Sequence, residues 1–479
     1  MQLSALTLDP IYQSHMVLQQ GKPVPVSGSC TSAKPITVTF GNQKVQATIK
    51  DNKWVAQLKP MGVNATGQEL HVVQGNDEIV LKDVLVGEVW LASGQSNMEW
   101  RLDQTGDKAA LSEAELPLSR FFHAAALVHV RKPVYTDENE RKLNAGEMYD
   151  GAWLVNNPAN RRRMSAVGWY FGKELQEKLG VPVGVVHVSL GGSEMLAWMP
   201  EYIVEQNHQD CQQPNWQESK RMSVWARSRG ALNTGNNPKA MHPYKPSYLF
   251  NTGIAPWVNF PIAGVIWYQG ESDAEINDSK HNIQLLKDLI TSWRTVFHSP
   301  KLPFIMVQLP RIKDTTPIRA YWAEFREVQQ KVADELPQVY CSVTMDLGTT
   351  SADVHPPRKI EVGGRMAAIA ATQVYGKKGI PYTGPVFKSL EKKGKDVLVR
   401  FDHAEGLKTV NGNPPAGFEV SEDGKTYVAA EAKLTEKGVL LSQPEGKKIK
   451  YVRYAWFVFM EPNLVNQDGL PTAPFTASL

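Results

Sequence analysis

The residues best suited to chemistry in this sequence are a serine, a histidine and an aspartate that stand in two polar segments. Ser96 lies in "GQSN", and His355 follows Asp353 by two positions in "DVHPP". A serine hydroxyl is a weak nucleophile until an imidazole accepts its proton, and a carboxylate beside the imidazole orients it and stabilises its protonated form. Ser96, His355 and Asp353 are therefore the predicted nucleophile, general base and orienting acid of an acyl-transfer reaction.

Acyl transfer also requires hydrogen-bond donors for the oxyanion that forms on the substrate, and two further segments supply them. "SLGGSEM" contains Gly191 and Gly192, where the backbone can approach a ligand closely, and "QGESD" begins with the side-chain amide of Gln269. The predicted oxyanion donors are the backbone N–H of Ser96, an N–H of Gly191 or Gly192, and the Gln269 amide. Each such donor typically lowers the barrier by about 3 kcal/mol.

Each of these segments also has a purely structural interpretation when it is taken alone. "GQSN" and "QGES" fit a turn or a helix N-cap, and an Asp-x-His pair is common in loops. Two other histidines are predicted to be structural: His187, inside an apolar run, in the core, and His242, in a loop, at the surface. The occurrence of all the candidate segments directly after successive strands is what favours catalysis.

Five uniformly apolar runs predict the buried strands of a parallel sheet, namely "VLVGEVWLA", "PVGVVHVSL", "IAGVIWYQ", "PFIMVQL" and "VYCSVTM". Helical periodicity lies between them, for example the apolar stripe of "HNIQLLKDLITSWRTVF". Ligands of an open parallel sheet bind beyond the carboxyl ends of its strands, where the candidate segments lie. The predicted fold class is an α/β domain with helices covering a parallel sheet.

The pattern of apolar and polar residues changes twice along the chain and predicts three regions. Short alternating runs in residues 1–85 predict an N-terminal antiparallel β domain, residues 86–378 form the catalytic α/β domain, and residues 379–479 return to β structure. Two stretches interrupt the α/β rhythm, near 106–163 and 201–247. They are predicted to be insertions or loops over one end of the sheet.

Composition excludes several classes of function. The 52 Lys and Arg nearly balance the 49 Asp and Glu, so nucleic acid is not a predicted partner. The three cysteines lie far apart, and the motifs HExxH, GxGxxG, GxSxG and the P-loop are absent, so no metal and no cofactor are predicted. No apolar run reaches the roughly 18 residues of a membrane span, and the chain as given has no signal-peptide pattern.

Several segments together resemble one known family. "GEVWLASGQSNMEW", "VSLGGSEMLAW", "GVIWYQGESDA" and "DVHPPRKIEVGGRMA" resemble the sialate O-acetylesterase family, within the SGNH hydrolase superfamily. The likeness extends to "SHMVLQQGKPVPVSG" near the start and to "VRYAWFVFMEPNLVNQDGLPTAPF" at the end, so it covers nearly the whole chain. It implies a flavodoxin-like SGNH catalytic domain with β-sandwich or jelly-roll-like accessory regions at both ends.

The resemblance also implies an activity, which is metal-free hydrolysis of acetyl esters on sugars, typically 9-O-acetylated sialic acid. By position, Ser96 matches the family's nucleophile and His355 its general base, while Gly191 or Gly192 together with Gln269 match the oxyanion positions. The family further implies a secreted or periplasmic enzyme. Oligomeric state does not follow from either the residues or the resemblance.

The sequence departs from the superfamily pattern at the acid. Many relatives place the acid three residues before the histidine, where this chain has Ala352, and Asp353 is only two before it. Asp346 is a second candidate acid, and a Ser-His dyad without an acid is a third possibility. The first and third blocks depart as well, with Gly-Gln-Ser in place of Gly-Asp-Ser and Gln269 in place of Asn.

Other functions are weighed against the sialate esterase. Related acetylesterases act on acetylated xylan and other plant polysaccharides, and a non-catalytic carbohydrate-binding protein would also explain the many tryptophans. A glycosidase would use a pair of carboxylates, for which Glu99, Glu271 and Asp273 are candidates. A sialic acid carboxylate would favour an arginine near the site, and the unranked candidates are Arg161, Arg162, Arg163, Arg227, Arg229 and Arg365.

Overall fold

A computed structural model describes residues 6–131, 133–212, 215–443 and 446–479. They form two compact units. The first comprises the chain through Gln269 together with Asp288–Phe304, and the second comprises Gly270–Lys287 together with Ile305–Leu479. None of the helices in the described ranges combines the length and the apolar character needed to cross a membrane.

The first unit begins with antiparallel β structure, as the alternating sequence pattern predicts. Strands β1, β3, β7 and β6 form one sheet, and β5, β4 and β8 pair in that order in another. Buried and half-buried residues alternate along β3 and β4, because successive side chains of a strand point to opposite faces. The bounds are β1 (Leu6–Leu8), β2 (Val17–Gln19), β3 (Val24–Cys30), β4 (Ile36–Phe40), β5 (Gln43–Gln46), β6 (Thr48–Lys50), β7 (Lys53–Leu58) and β8 (Asn64–Gln74).

A single long strand, β9 (Asp77–Gly94), connects this β structure to the parallel sheet. Its first half pairs antiparallel with β8, and its second half pairs in parallel with β12 on one side and β13 on the other. The predicted boundary between residues 85 and 86 therefore lies inside β9. The remaining strands of this sheet in the first unit are β10 (Leu116–Ala126), β11 (Tyr149–Asn156), β12 (Val183–Ser189) and β13 (Gly264–Tyr268).

The stretch near 106–163 contributes to the sheet itself. Strand β10 pairs in parallel with β12, and β11 then pairs antiparallel with β10, so the sheet is mixed. Sequence analysis missed both strands because "LPLSRFFHAAA" and "YDGAWLVN" are less uniformly apolar than the central strands. The helices of the first unit are α1 (Ser96–Glu99), α2 (Lys108–Ser112), α3 (Asp137–Asn144), α4 (Pro158–Arg161), α5 (Ala166–Leu179), α6 (Glu201–Asn207) and α7 (Val224–Asn233).

Helix α5 shows how the sequence fixes one of these helices against the sheet. The side chain of Ser165 caps its start by accepting the N–H of Gly168, and Gly180 ends it with a left-handed φ of 70°. Its apolar face is buried, and the ring of Phe171 meets the ring of Trp90 in β9 edge to face at 5.2 Å. This packing holds β9, whose end carries Ser96.

The second unit contains the remaining α/β elements. They are part of α8 (Ser279–Val296), most of β14 (Phe304–Val307), α9 (Trp322–Glu335), β15 (Val339–Ser342) and α10 (Lys359–Ile369). Strands β14 and β15 are neighbours, and Gln308 N–H donates to Ser342 O at 2.9 Å where they end. Apolar periodicity predicts a helix over "HNIQLLKDLITSWRTVF", and α8 covers nearly all of that segment, starting slightly before it at Ser279.

Antiparallel β structure completes the second unit. One sheet has the order β16-β17-β22-β21, another β20-β19-β23-β25, and β18 pairs with β24. Their inner faces share a core that includes Val399, Val420 and Leu441, and Met345 from before this region packs into the same core. The strands are β16 (Val386–Lys393), β17 (Asp396–Asp402), β18 (Lys408–Thr409), β19 (Phe418–Ser421), β20 (Val428–Ala429), β21 (Glu431–Thr435), β22 (Gly438–Ser442), β23 (Tyr451–Tyr454), β24 (Leu464–Val465) and β25 (Phe475–Ser478).

Candidate active site

Ser96 is the first residue of α1 and follows the end of β9 by one turn residue. Gly94 ends the strand with a φ of 141°, and a Cβ there would lie 2.1 Å from the carbonyl oxygen of Tyr268. Gln95 N–H donates to the same oxygen at 3.0 Å, and Leu190 N–H donates to Gly94 O at 3.2 Å. The ends of β9, β12 and β13 are thus held together, and Ser96 lies half-buried at their meeting point.

Gly191 lies against the serine on the neighbouring strand end. A Cβ on Gly191 would be 3.3 Å from the Cβ of Ser96 and 3.0 Å from Oε2 of Glu99. Its N–H donates to Glu99 Oε2 at 2.7 Å, and its carbonyl oxygen accepts the hydroxyl of Tyr244 at 2.6 Å. In this structure the Gly191 N–H is therefore bonded to a carboxylate, and no sequence pattern predicts that bond.

Gly192 is a position at which an added side chain would collide with two neighbouring rings. It has a left-handed φ of 75°, and a Cβ would lie 2.2 Å from Nε1 of Trp225 and 2.3 Å from the hydroxyl oxygen of Tyr244. Sequence analysis identified the glycine but missed Trp225 and Tyr244, which come from the stretch 201–247 and carry no motif of their own. Glycine is required here because both the backbone conformation and the space exclude a side chain.

Gln269 lies at the same group of strand ends. Its side chain is buried, and Nε2 donates to Ser193 O at 3.2 Å. Ser193 in turn donates through its hydroxyl to Leu190 O at 2.8 Å and accepts the indole N–H of Trp198 at 2.9 Å. The predicted amide donor is therefore held beside the glycine pair.

Glu99 is a half-buried acidic residue in the same short helix as Ser96. Burial raises the pKa of its carboxyl group, while the hydrogen bond from Gly191 and the positive charge of Arg131 oppose that rise. The other two carboxylates considered for a glycosidase, those of Glu271 and Asp273, are buried and belong to the second unit. The observed role of Glu99 is to accept the Gly191 N–H.

His355 and Asp353 form a hydrogen-bonded pair in the second unit. Asp353 Oδ1 accepts the backbone N–H of His355 at 2.9 Å and lies 3.1 Å from its Nδ1. The His355 side chain is 17% exposed, whereas that of Asp353 is 59% exposed. With the ring proton on Nδ1, Nε2 is the nitrogen able to accept a proton.

Asp346, the alternative acid, is engaged elsewhere. Its two carboxylate oxygens accept from the two terminal nitrogens of Arg365, at 2.8 and 2.6 Å. Arg365 also donates to Val343 O at 2.8 Å, which fixes the pair to the end of β15. The geometry within the second unit therefore links Asp353, and not Asp346, to the imidazole.

Two histidines outside the predicted site are both buried. His187 is in the core, as predicted, with Nε2 2.7 Å from the hydroxyl oxygen of Ser189, and burial lowers the pKa of its imidazole. The prediction of a surface position for His242 is wrong, because its side chain is fully buried and stacks on Tyr135. Its Nδ1 accepts the N–H of Tyr244 at 2.9 Å, so His242 orients a residue that packs against the glycine tip, which is the turn of Gly191 and Gly192 after β12.

Each unit, taken by itself, holds some of the groups that acyl transfer uses. The first holds the hydroxyl of Ser96 beside a glycine tip and a side-chain amide, and the second holds an imidazole bonded to a carboxylate. Among the described residues no group of three or more His, Cys, Asp or Glu side chains is arranged to hold a metal ion, and no metal site is assigned.

Comparison with known proteins gives a consistent result. Residues 244–372 match the family described as carbohydrate esterase, sialic acid-specific acetylesterase. The chain is 26% identical to the sialate O-acetylesterase of Mus musculus over 447 residues, covering 85% of this chain and 80% of that protein. It is 27% identical to the sialate O-acetylesterase of Pongo abelii over 489 residues, covering 94% of this chain and 88% of that protein.

A solved structure extends the match to the whole fold. The crystal structure of a carbohydrate acetylesterase from Xanthomonas citri is similar with a TM-score of 0.81 and 30% identity, and the match covers 98% of this chain and 99% of that chain. The mixed sheet and the antiparallel sheets described above are thus the architecture of a carbohydrate esterase. The chain belongs to the sialate O-acetylesterase family and is a carbohydrate esterase.

Proposed function

We propose that this esterase uses Ser96 as its nucleophile and hydrolyses the acetyl ester of 9-O-acetylated sialic acid through an acetyl-enzyme. The observation that carries the proposal is the packing of Ser96 against Gly191 at the end of β9, with Gln269 held at the same strand ends. This places a hydroxyl next to backbone and amide donors, which is the arrangement that an acyl-transfer transition state requires. The SGNH-type, flavodoxin-like topology is part of the same proposal.

In the first step, the hydroxyl oxygen of Ser96 attacks the acetyl carbonyl carbon while Nε2 of His355 accepts its proton. The N–H of Ser96, the N–H of Gly191 or Gly192 and the Gln269 amide donate to the oxyanion. Gly191 would have to release its hydrogen bond to Glu99 to take this role. His355 then returns the proton to the sugar oxygen as the ester bond breaks, which leaves acetyl-Ser96.

In the second step, water replaces the sugar. His355 accepts a proton from the water, the resulting nucleophile attacks the acetyl carbon, and acetate leaves as the Ser96 hydroxyl is restored. Asp353 is the proposed acid, since it is bonded to the imidazole while Asp346 is paired with Arg365. The family resemblance supports a secreted or periplasmic site of action.

Acetate release by the wild type and by Ser96→Ala tests the mechanism. We expect the wild type to release acetate from 9-O-acetylated sialic acid and the variant to lose at least about 1,000-fold in rate, because the nucleophile is gone. The matched control is Ser93→Ala in the same strand, whose buried hydroxyl has no hydrogen-bond partner among the described residues. It should retain activity.

Two outcomes would contradict separate parts of the proposal. Retained acetate release in Ser96→Ala would overturn the serine mechanism. Release of acetate from acetylated xylan but not from 9-O-acetylated sialic acid would contradict the proposed substrate and leave the proposed mechanism in place. Reducing-sugar measurements on the same reactions distinguish an esterase from a glycosidase.

A further inference from the structure

Sialic acids and uronic acids carry a carboxylate, so a subsite for them requires a cation that the protein does not already neutralise. Two of the candidate arginines are used within the fold. Arg161 is fully buried and donates to four backbone carbonyl groups between Ala110 and Asn156. Arg365 is paired with Asp346. Neither guanidinium is available to a substrate.

Helix α7 lies against the glycine tip of the proposed acyl site. The N–H of Ser223, which caps α7, donates to a carboxylate oxygen of Glu194, two residues after Gly192. Trp225, the second residue of α7, donates through Nε1 to the hydroxyl of Tyr244 at 3.3 Å. The indole therefore borders the backbone of Gly192, yet the residue is 38% exposed.

Arg229 stands one turn after Trp225 on α7, and its guanidinium lies 5.0 Å from the centre of the indole ring. Within the described ranges no Asp or Glu is within salt-bridge distance of Arg229, although ion pairs occupy several other arginines. The positive charge of Arg229 acts on Tyr244, which packs against Gly192. Burial raises the pKa of the Tyr244 hydroxyl, and Arg229 opposes that rise.

We propose that Trp225 and Arg229 form a recognition subsite for a sugar that carries a carboxylate, with the exposed part of the indole packed against the sugar and the guanidinium bonded to the carboxylate. The inference rests on the proposed function and deepens it by naming the residues that recognise the carboxylate of its substrate. A neutral sugar would contact only the indole. A carboxylate gains charge-assisted hydrogen bonds as well, worth roughly tenfold or more in affinity.

The experiment compares two substrates that differ only in this charge, namely 9-O-acetylated sialic acid and its C1 amide. For each variant, the ratio of kcat/KM for the acid to kcat/KM for the amide is measured, so losses from poor folding cancel. We expect a ratio of at least about 10 in the wild type and a ratio near 1 in Arg229→Gln, through a higher KM for the acid. Arg227→Gln is the matched control on α7, because Arg227 donates to Met222 O at the helix start, and it should keep the wild-type ratio.

Either an equal ratio in wild type and Arg229→Gln, or a wild-type ratio near 1, would overturn the subsite while leaving the esterase intact. If the wild type hydrolyses neither sugar, the proposed substrate is wrong, and the subsite is tested by itself through inhibition of phenyl acetate hydrolysis. Glucuronate should then inhibit the wild type more strongly than glucose does, and Arg229→Gln should abolish that difference. Equal inhibition of the wild type by both sugars would overturn the inference.

Discussion

Gly192 and its neighbours show how closely side chains surround the proposed acyl site. Trp225 and Tyr244 occupy the space into which a Cβ on Gly192 would project, and Tyr244 also holds the carbonyl of Gly191. The N–H of Gly192 can serve the oxyanion only while this backbone keeps its left-handed conformation. Residues other than the proposed nucleophile and base therefore determine whether the donor is correctly placed.

We expect Gly192→Ala to reduce acetate release by at least about 100-fold, because even a small displacement of an oxyanion donor is costly. Its free energy of unfolding should also fall by more than the roughly 1–2 kcal/mol that a left-handed alanine costs by itself. Kinetics and chemical denaturation of the same preparation measure both effects. The variant tests packing and conformation together.

A second glycine separates those two contributions. Gly180, at the end of α5, has a φ of 70° but nothing within 4 Å of an added Cβ. Gly180→Ala should therefore lower the free energy of unfolding only by the cost of a left-handed alanine, and it should keep full activity. Equal activity losses in both variants, or full activity in Gly192→Ala, would show that the Gly192 N–H is not an oxyanion donor.

At the scale of elements, uniformly apolar runs were enough to predict the strands that carry the site. The runs around Trp90, Val186 and Ile266 became β9, β12 and β13, because strands buried on both faces have no polar alternation. Polar segments at their ends therefore located Ser96 and Gln269 correctly at strand ends. Periodicity also predicted the helices that cover the sheet.

Features set by contacts between distant segments were not predictable in this way. Trp225, Tyr244 and the buried position of His242 depend on how the stretch 201–247 folds over the glycine tip, and that path has no local pattern. The hydrogen bond between Glu99 and Gly191 joins residues that follow different strands, so residue spacing cannot predict it. Strands β10 and β11 were missed because their composition is mixed.

The first residue of helix α10 is a buried lysine whose pKa is lowered by burial. Lys359 is its first residue and is fully buried, and burial lowers the pKa of its ammonium group to about 7, against the raising effect of Glu271 and Asp353. A cation is also unfavourable at a helix N-terminus. Between about pH 7 and the ordinary value of 10.5 the unfolded chain holds a proton that the folded chain lacks. The contribution of Lys359 to the free energy of unfolding therefore rises with pH, by up to about 1.4 kcal/mol per pH unit.

Lys359→Met removes this titration. We expect its stability relative to the wild type to be greatest near pH 6 and to decline toward pH 9, as measured by urea denaturation across that range. Lys388→Met, at an exposed lysine paired with Asp402, should show a difference from the wild type that does not follow this window. A pH-independent difference for Lys359→Met would contradict the lowered pKa.

At the scale of the whole molecule, the proposed nucleophile and the proposed base belong to different compact units. Ser96 belongs to the first unit, and His355 belongs to the second together with all the C-terminal strands. Within the second unit, Met345 is buried in the same core as Val399 and Leu441, and Arg326 in α9 donates to Val458 O at 3.2 Å. The segment that leads to His355 is thus packed against the C-terminal sheets.

This packing predicts that a cavity in the C-terminal sheets will affect catalysis. Leu441 is fully buried there, so Leu441→Ala should lower the free energy of unfolding by about 2–5 kcal/mol. We expect acetate release to be lost at a correspondingly lower temperature, because the histidine segment unfolds with the sheets. Val410→Ala, at a residue that is 64% exposed in the same region, is the control and should match the wild type.

The temperature dependence of acetate release, followed beside the unfolding transition of each variant, distinguishes two descriptions of the second unit. If activity and the C-terminal sheets are lost together in Leu441→Ala, the sheets support the position of His355 through the core around Met345. If the sheets unfold early while acetate release persists to the wild-type temperature, the region from β16 onward is an independent domain, as the predicted division at residues 378 and 379 has it. The cooperative outcome is the one expected, since the buried side chain of Met345 joins the segment before His355 to the core of the C-terminal sheets.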